Sequence, residues 1–176
     1  MRISISTLDK FKFVDSAAYE IPTWNQESQN SWFEAVLLIH QHNFPHILLL
    51  QTTLKDGSKS YSLPSGINDL SSALNAIMAP NENHVWKSLD LIAKLNRIDN
   101  VNPVLYPYLP AHISKGKQEI NVHLVEFPDT LVEIKRASNF KILCIPIHEL
   151  HDNVSKYGVF LSKLPTLLSK YEIECL

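Results

Sequence analysis

Tyr61-Ser62-Leu63-Pro64-Ser65-Gly66, followed by Ile67 to Pro80, has the outline of a strand, a loop and a helix in succession. Leu70, Leu74, Ile77 and Met78 recur at helical spacing, Asp69 stands where an N-cap belongs, and Pro80 with its predecessor ends the helix. A helix so placed needs several carboxylates to hold Mg²⁺, because that hard cation takes oxygen ligands. Between Gly66 and Pro80 the only carboxylate is Asp69, and capping accounts for it. The outline is that of an α/β protein, and its contents point away from metal chemistry.

Upstream, Phe33 to His40 and His46 to Gln51 are apolar and rich in branched side chains, with Gln41 to Pro45 between them as a turn. That pattern predicts a hairpin buried on both faces. Before it, Ile3 to Asn30 alternates briefly around Lys10 to Val14 and becomes polar from Asn25, which reads as an edge strand and a loop. Lys55-Asp56-Gly57-Ser58 is a turn, since Asp bonds its own backbone and Gly tolerates positive φ.

Downstream, Trp86, Leu89, Ile92 and Ala93 fit helical spacing, yet Leu89 to Ile92 is equally acceptable in a strand. Pro103, Pro107 and Pro110 mark Val101 to Lys117 as a loop. Ile120 to Phe127 and Lys141 to Ile147 read as strands, and Leu161 to Tyr171 as a helix with Ser162 its cap and Pro165 in its first turn. Strands with interspersed helices imply an α/β or α+β sandwich in which helices cover a mixed sheet.

The 176 residues, 45% hydrophobic, suit one domain with a well-buried core. A net charge of -2 gives no overall basic field of the kind that drives non-specific nucleic-acid binding, so any RNA contact is local and mostly uncharged. Cys144 and Cys175 form no CxxC pair, and Cys144 reads as a small core residue. The first residues alternate polar and apolar, unlike a signal peptide, and no run is long enough to span a bilayer; a soluble, intracellular protein is expected.

His40, His42 and His46 cluster around a turn, but no Cys or carboxylate completes a ligand set, and His148-Glu149-Leu150-His151 lacks the i, i+4 pair of a zinc-protease helix. No metal and no cofactor is expected. No Gly-rich phosphate loop and no Gly-x-Ser-x-Gly elbow is present. Tyr61, Tyr106, Tyr108 and Tyr157 fall in or beside loops next to Pro, Ser or Gly. Rings beside free backbone groups are the usual apparatus for holding an unstacked RNA base, although each also suits a ring capping the core with its hydroxyl in water.

Phe33 to Gln51, Leu63-Pro64-Ser65-Gly66, Tyr106 to Lys115, Glu149 to Asn153, Tyr157-Gly158 and Leu164 to Lys170 together resemble the small Nudix-fold subunit of cleavage factor Im, a pre-mRNA 3′-end processing factor. The resemblance runs from about Ser31 to the end and is weakest from Asp69 to Asn102. It implies a Nudix-like α/β/α sandwich over 31–176, preceded by an N-terminal edge strand and loop over 1–30. It also implies a nuclear homodimer without hydrolase activity that binds single-stranded UGUA-like RNA beside a larger, RRM-bearing subunit. A Nudix box would place an Arg-Glu pair and two adjacent glutamates on the helix after Gly66, where this chain has Ala73 to Ala79; the resemblance also moves Trp86 to Leu95 toward strand.

Carried over position by position, the family's RNA-binding residues fall on Glu34, Tyr61, Leu63, Tyr157 and Gly158. A strand carboxylate accepts from a base amino or imino group, and loop amides and carbonyls read pyrimidine edges. Ser60 stands where the family has a stacking phenylalanine, and none of Arg2, Arg97 and Arg136 falls at the family's guanine-reading arginine. A rival reading keeps the scaffold without the RNA specificity: a dimeric interaction module whose Tyr106, Tyr108, Leu164 and Leu167 engage another subunit. A third, a hydrolase with acids from Glu119, Glu126 or Glu149, lacks convergent ligands in the sequence.

Overall fold

The computed structural model describes residues 1–20, 32–97, 105–106, 108, 111–112 and 118–176. In chain order it contains β1 (Arg2–Ile5), a 3-10 turn (Leu8–Lys10), β2 (Lys12–Ser16), β3 (Trp32–Gln41), β4 (Phe44–Thr53), β5 (Lys59–Ser62) and β6 (Ser65–Ile67). Helix α1 (Leu70–Met78) follows, then β7 (Lys87–Arg97), β8 (Leu105–Tyr106), β9 (Gln118–Glu126), β10 (Glu133–Ala137) and β11 (Lys141–Pro146). Helices α2 (Ile147–Leu150), α3 (Val154–Tyr157) and α4 (Val159–Leu168) lead to β12 (Glu172–Cys175).

The main sheet runs β11-β4-β3-β9-β7-β8 among the described residues, with β5 joined to β4 and β6 to β3. It is mixed: β3 and β9 are parallel, whereas β3–β4, β4–β11 and β7–β9 are antiparallel. Strand alternation divides its side chains between two cores. Val36, Leu38, Ile47 and Leu49 pack with α2, α3, α4 and β1 through Leu150, Tyr157, Leu161, Leu164, Ile3 and Ile5. Ala35, Leu37, Ile39, Leu48 and Leu50 pack on the opposite side with Leu74 and Ile77 of α1 and Ile134 of β10. The hairpin is therefore buried on both faces, and each enclosed leucine contributes about 1.5–3 kcal/mol of burial free energy.

The turn between β3 and β4 is tighter than Gln41 to Pro45 suggests. His42 and Asn43 both take positive φ, 51° and 64°, the two-residue arrangement that matches strand twist, so β4 begins at Phe44. β1 pairs with β12 and β2 with β10, which joins strands of the first sixteen residues to strands of the later chain.

Within Val85 to Arg97, Lys87–Arg97 forms the strand β7, and its register slips between Ser88 and Asp90 and again between Leu91 and Ala93. Each bulge turns the following residues over, so Leu89, Ile92 and Ala93 all reach the same core despite their uneven spacing. That irregularity is what mimics a helix in the sequence. Strand β6, only three residues long, lies where the sequence reads as loop. Most of the proline-marked loop from Val101 to Lys117 lies outside the described residues.

The last helix starts at Val159, two residues before the predicted start, with Gly158 at the cap. Ser162 is no cap: its hydroxyl donates back to the carbonyls of Gly158 and Val159 at 2.8 and 3.0 Å. Pro165 consequently sits inside α4 and not in its first turn. Cys144 packs against the α1-side core, where burial pushes its thiol up to about 11. No helix among the described residues is long and apolar enough to cross a membrane.

Candidate functional site

Helix α1 follows β6 closely because Gly66 leaves no room for a side chain: a Cβ there would lie 2.3 Å from Ala73 Cβ and 2.7 Å from Phe33 Cζ. Asp69 caps the helix, accepting from the Ser72 amide at 2.7 Å; the Ser72 hydroxyl and then that amide hold its carboxyl below the usual range. Inside, Asn75 Oδ1 accepts from Trp86 Nε1 at 2.8 Å and from the His84 amide at 3.3 Å, while Asn75 Nδ2 donates to the His84 carbonyl at 2.8 Å. His84 completes the group through Thr130 and Glu82. The residues of α1, Leu70 to Met78, include no carboxylate. A Nudix-type Mg²⁺ site does not fit this helix, whose buried polar atoms already satisfy one another.

The other side of the sheet is less closed. Trp32 and Val36 belong to the core that contains Leu63 and Tyr157, and strand alternation places Glu34 on their face. In register, Glu34 stands between Ser65 of β6 and Val122 of β9. Its carboxyl makes no hydrogen bond among the described residues, and burial pushes its pKa up to about 7. Near neutral pH it both accepts and, when protonated, donates.

Tyr61 is held at the margin of the same core. Its ring meets Tyr157 edge-on at 4.9 Å between centroids, and its hydroxyl accepts from Gln51 Nε2 at 3.0 Å. Tyr157 is buried, not standing out of a loop, and its hydroxyl donates to Glu149 Oε1. Lys156 Nζ binds that oxygen at 2.9 Å and lies 4.9 Å from the Tyr157 centroid and 5.9 Å from that of Tyr61. Tyr157 and Lys156 together hold the Glu149 carboxyl below its usual range, and Glu149 in turn raises Lys156. Gly158 takes φ 85° and ψ 172°, a conformation essentially reserved for glycine, which lets the chain reverse from α3 into α4.

The structure thus gathers Glu34, Tyr61, Leu63 and Tyr157 on one face. Leu63 is 1% exposed and presents no surface to a ligand as it stands. Leu164 is fully buried in the same core and presents no surface to a second subunit as it stands; Leu167 is partly buried against it. Tyr108 is exposed, and Tyr106 stands in β8. His40 and His46 each engage a backbone carbonyl, of Leu176 and Phe44, at 2.7 Å. No group of three or more His, Cys, Asp or Glu is placed to hold a metal among the described residues.

Lys156 and Gln51 escaped the sequence reading. Adjacency to Tyr157 was a signal for Lys156, but its link to Glu149 appears only once α2 and α3 are folded together.

Residues 11–171 match the NUDIX_2 family, described as nucleotide hydrolase. With a mixed sheet covered on both sides, this is a Nudix-type α/β/α sandwich. Pre-mRNA cleavage factor Im 25 kDa subunit 2 of Arabidopsis thaliana is 31% identical over 157 residues, 83% of this chain and 76% of that protein. Cleavage and polyadenylation specificity factor subunit 5 of Dictyostelium discoideum is 27% identical over 161 residues, 85% of this chain and 77% of its own length. The chain belongs to the family of these cleavage factor Im 25 kDa subunits. Among solved structures, the NUDIX domain of Shewanella oneidensis NrtR complexed with ADP ribose overlaps 82% of this chain and 88% of its own, at 13% identity and a TM-score of 0.48.

Proposed function

We propose that this protein is a non-catalytic, RNA-binding subunit of a nuclear pre-mRNA 3′-end cleavage and polyadenylation factor. It works as a homodimer beside a larger RRM-bearing subunit and holds single-stranded, UGUA-like RNA at the corner formed by Glu34, Tyr61, Leu63, Tyr157 and Gly158. The observation that carries this reading is the convergence of a half-buried carboxyl and two aromatic rings on one face of the sheet. Unstacked bases need such an arrangement: apolar surface for the ring, and a few aimed polar groups for its edge. The name-giving relatives are 3′-processing subunits, and α1 has no ligands for the metal a hydrolase would use.

Ser60 favours a second reading, a dimeric interaction scaffold of the same complex with weakened RNA specificity. A stacked aromatic is worth roughly 1–3 kcal/mol per base, and serine supplies none of it. Fluorescence anisotropy with a short UGUA RNA and a scrambled control, at fixed salt, separates the two. Tighter binding to UGUA supports the RNA-reading subunit. Equal binding moves the protein's work to its partner surface, and no binding removes RNA from its function.

A further inference from the structure

Positive charge in this chain is closely paired, with one local exception. Among the described residues, Arg2, Arg136 and all but three of the lysines lie within 4.0 Å of a carboxylate oxygen, and Arg97 donates to Gln118 Oε1 at 3.0 Å. The three lysines outside that pattern are Lys55, Lys59 and Lys141, all exposed. The acid between the first two, Asp56, is engaged by Ser58, which donates to it through its amide at 2.9 Å and through its hydroxyl.

Sheet register brings the three together. Lys141 of β11 stands opposite Gln51 of β4, and Gln51 opposite Tyr61 of β5, in one row across three neighbouring strands. Residues directly opposite share a face, so Lys141 and Tyr61 flank Gln51 on the side that carries Tyr157, about 10 Å from each other. Lys59 precedes Tyr61 by two residues, which puts it on the same face, roughly 7 Å along the strand and opposite Thr53. Lys55 lies in the turn that joins β4 to β5, beyond that last pair. Three cations against one acid leave this rim net positive in a chain whose overall charge is -2.

We propose that Lys55, Lys59 and Lys141 form a phosphate-binding rim that holds the backbone of single-stranded RNA where it enters or leaves the Tyr61–Tyr157 corner. The inference rests on the RNA-binding reading above and adds to it a second contact region, indifferent to sequence. A lysine already paired with a carboxylate must give up that partner to meet a phosphate, whereas these three need only displace solvent. Each phosphate they neutralise releases condensed counterions from the RNA, which is where sequence-independent affinity comes from. Flexible ammonium groups suit that task as point charges, and cations beside aromatic rings are how proteins track a single strand. The corner selects and the rim retains.

Anisotropy titrations over a range of salt, with a UGUA tetranucleotide and with UGUA flanked on both sides by uridines, test the rim. Wild type is expected to bind the flanked RNA more tightly and with the steeper salt dependence. In the combined variant Lys55→Gln, Lys59→Gln, Lys141→Gln that gain is lost, the slope falling by about 0.7 for each lysine that meets a phosphate, while preference for UGUA over a scrambled sequence in the same flanks stays. A control combining Lys12→Gln, Lys87→Gln and Arg136→Gln, all ion-paired away from the rim, changes net charge equally and keeps the gain. Flanks that add nothing in wild type overturn the inference and leave the corner's reading intact, and so does an equal loss in the control. Binding of neither RNA overturns this inference and the RNA-binding reading together. Should the rim variant fail to fold, wild type decides with uncharged methylphosphonate linkages in the flanks: loss of the gain is expected, and its persistence overturns the inference.

Discussion

The two sides of the sheet differ in how they treat the buried polar groups around their tryptophans. On the α1 side, Asn75, His84 and Trp86 satisfy one another at 2.8 to 3.3 Å. On the α3–α4 side, Trp32 Nε1 is buried without a partner, as are His40 Nδ1 and, elsewhere in the sheet, Asn121 Oδ1. A closed network stabilises and specifies a fold, whereas a buried group without a partner weakens it. Helix α1 contains no carboxylate, and its buried Asn75 is fully engaged.

If that contrast is right, removing polarity has opposite signs on the two sides. The largest effect belongs to Asn75→Ala, which strands the Trp86 indole and both His84 backbone groups. Urea denaturation should show a loss of about 2–4 kcal/mol, with RNA affinity of the folded protein unchanged. A loss under 1 kcal/mol would mean that water replaces the amide and the side is not closed.

Glu34→Gln should do the reverse. The folded carboxyl, at about 7, lies above its unfolded value, so the native state binds more protons between the two. Wild-type stability therefore declines as pH rises from about 4.5 through 7, and above that range the full penalty for the buried charge remains. The glutamine variant should lack this slope and be more stable than wild type by about 2 kcal/mol at pH 8, yet bind RNA less well. Equal pH profiles for the two proteins would show that Glu34 titrates normally. The smallest effect is expected at Lys156→Gln. With one cation fewer beside Tyr61 and Tyr157, the salt dependence of RNA binding should flatten by a slope of no more than about 0.7, with little change in unfolding midpoint.

Legibility in the sequence followed the regularity of local pattern. The β3–β4 hairpin and β9 could be read because alternation and branched side chains run unbroken through them. Asp69 and the Lys55 to Ser58 turn could be read because their hydrogen bonds are local, with Ser58 donating to Asp56 at 2.9 Å. β7 could not be read from period alone, because two bulges change it. The start of α4 was misplaced because Ser162 looks like a cap and Pro165 like a first-turn residue, whereas the glycine geometry at 158 governs where the helix begins.

In the site, Glu34, Tyr61, Leu63, Tyr157 and Gly158 came from the family resemblance and not from spacing. Their shared face is a consequence of tertiary folding. The Lys156–Glu149 pair and the unpaired Trp32 indole depend on what surrounds them in space, and nothing in a one-dimensional pattern announces either.

Hydrogen–deuterium exchange with and without saturating UGUA RNA tests the contrast most directly. The account predicts protection in peptides covering 32–36, 59–66 and 149–159, with 70–86 unchanged. Protection confined to 70–86, on the α1 side, would contradict it.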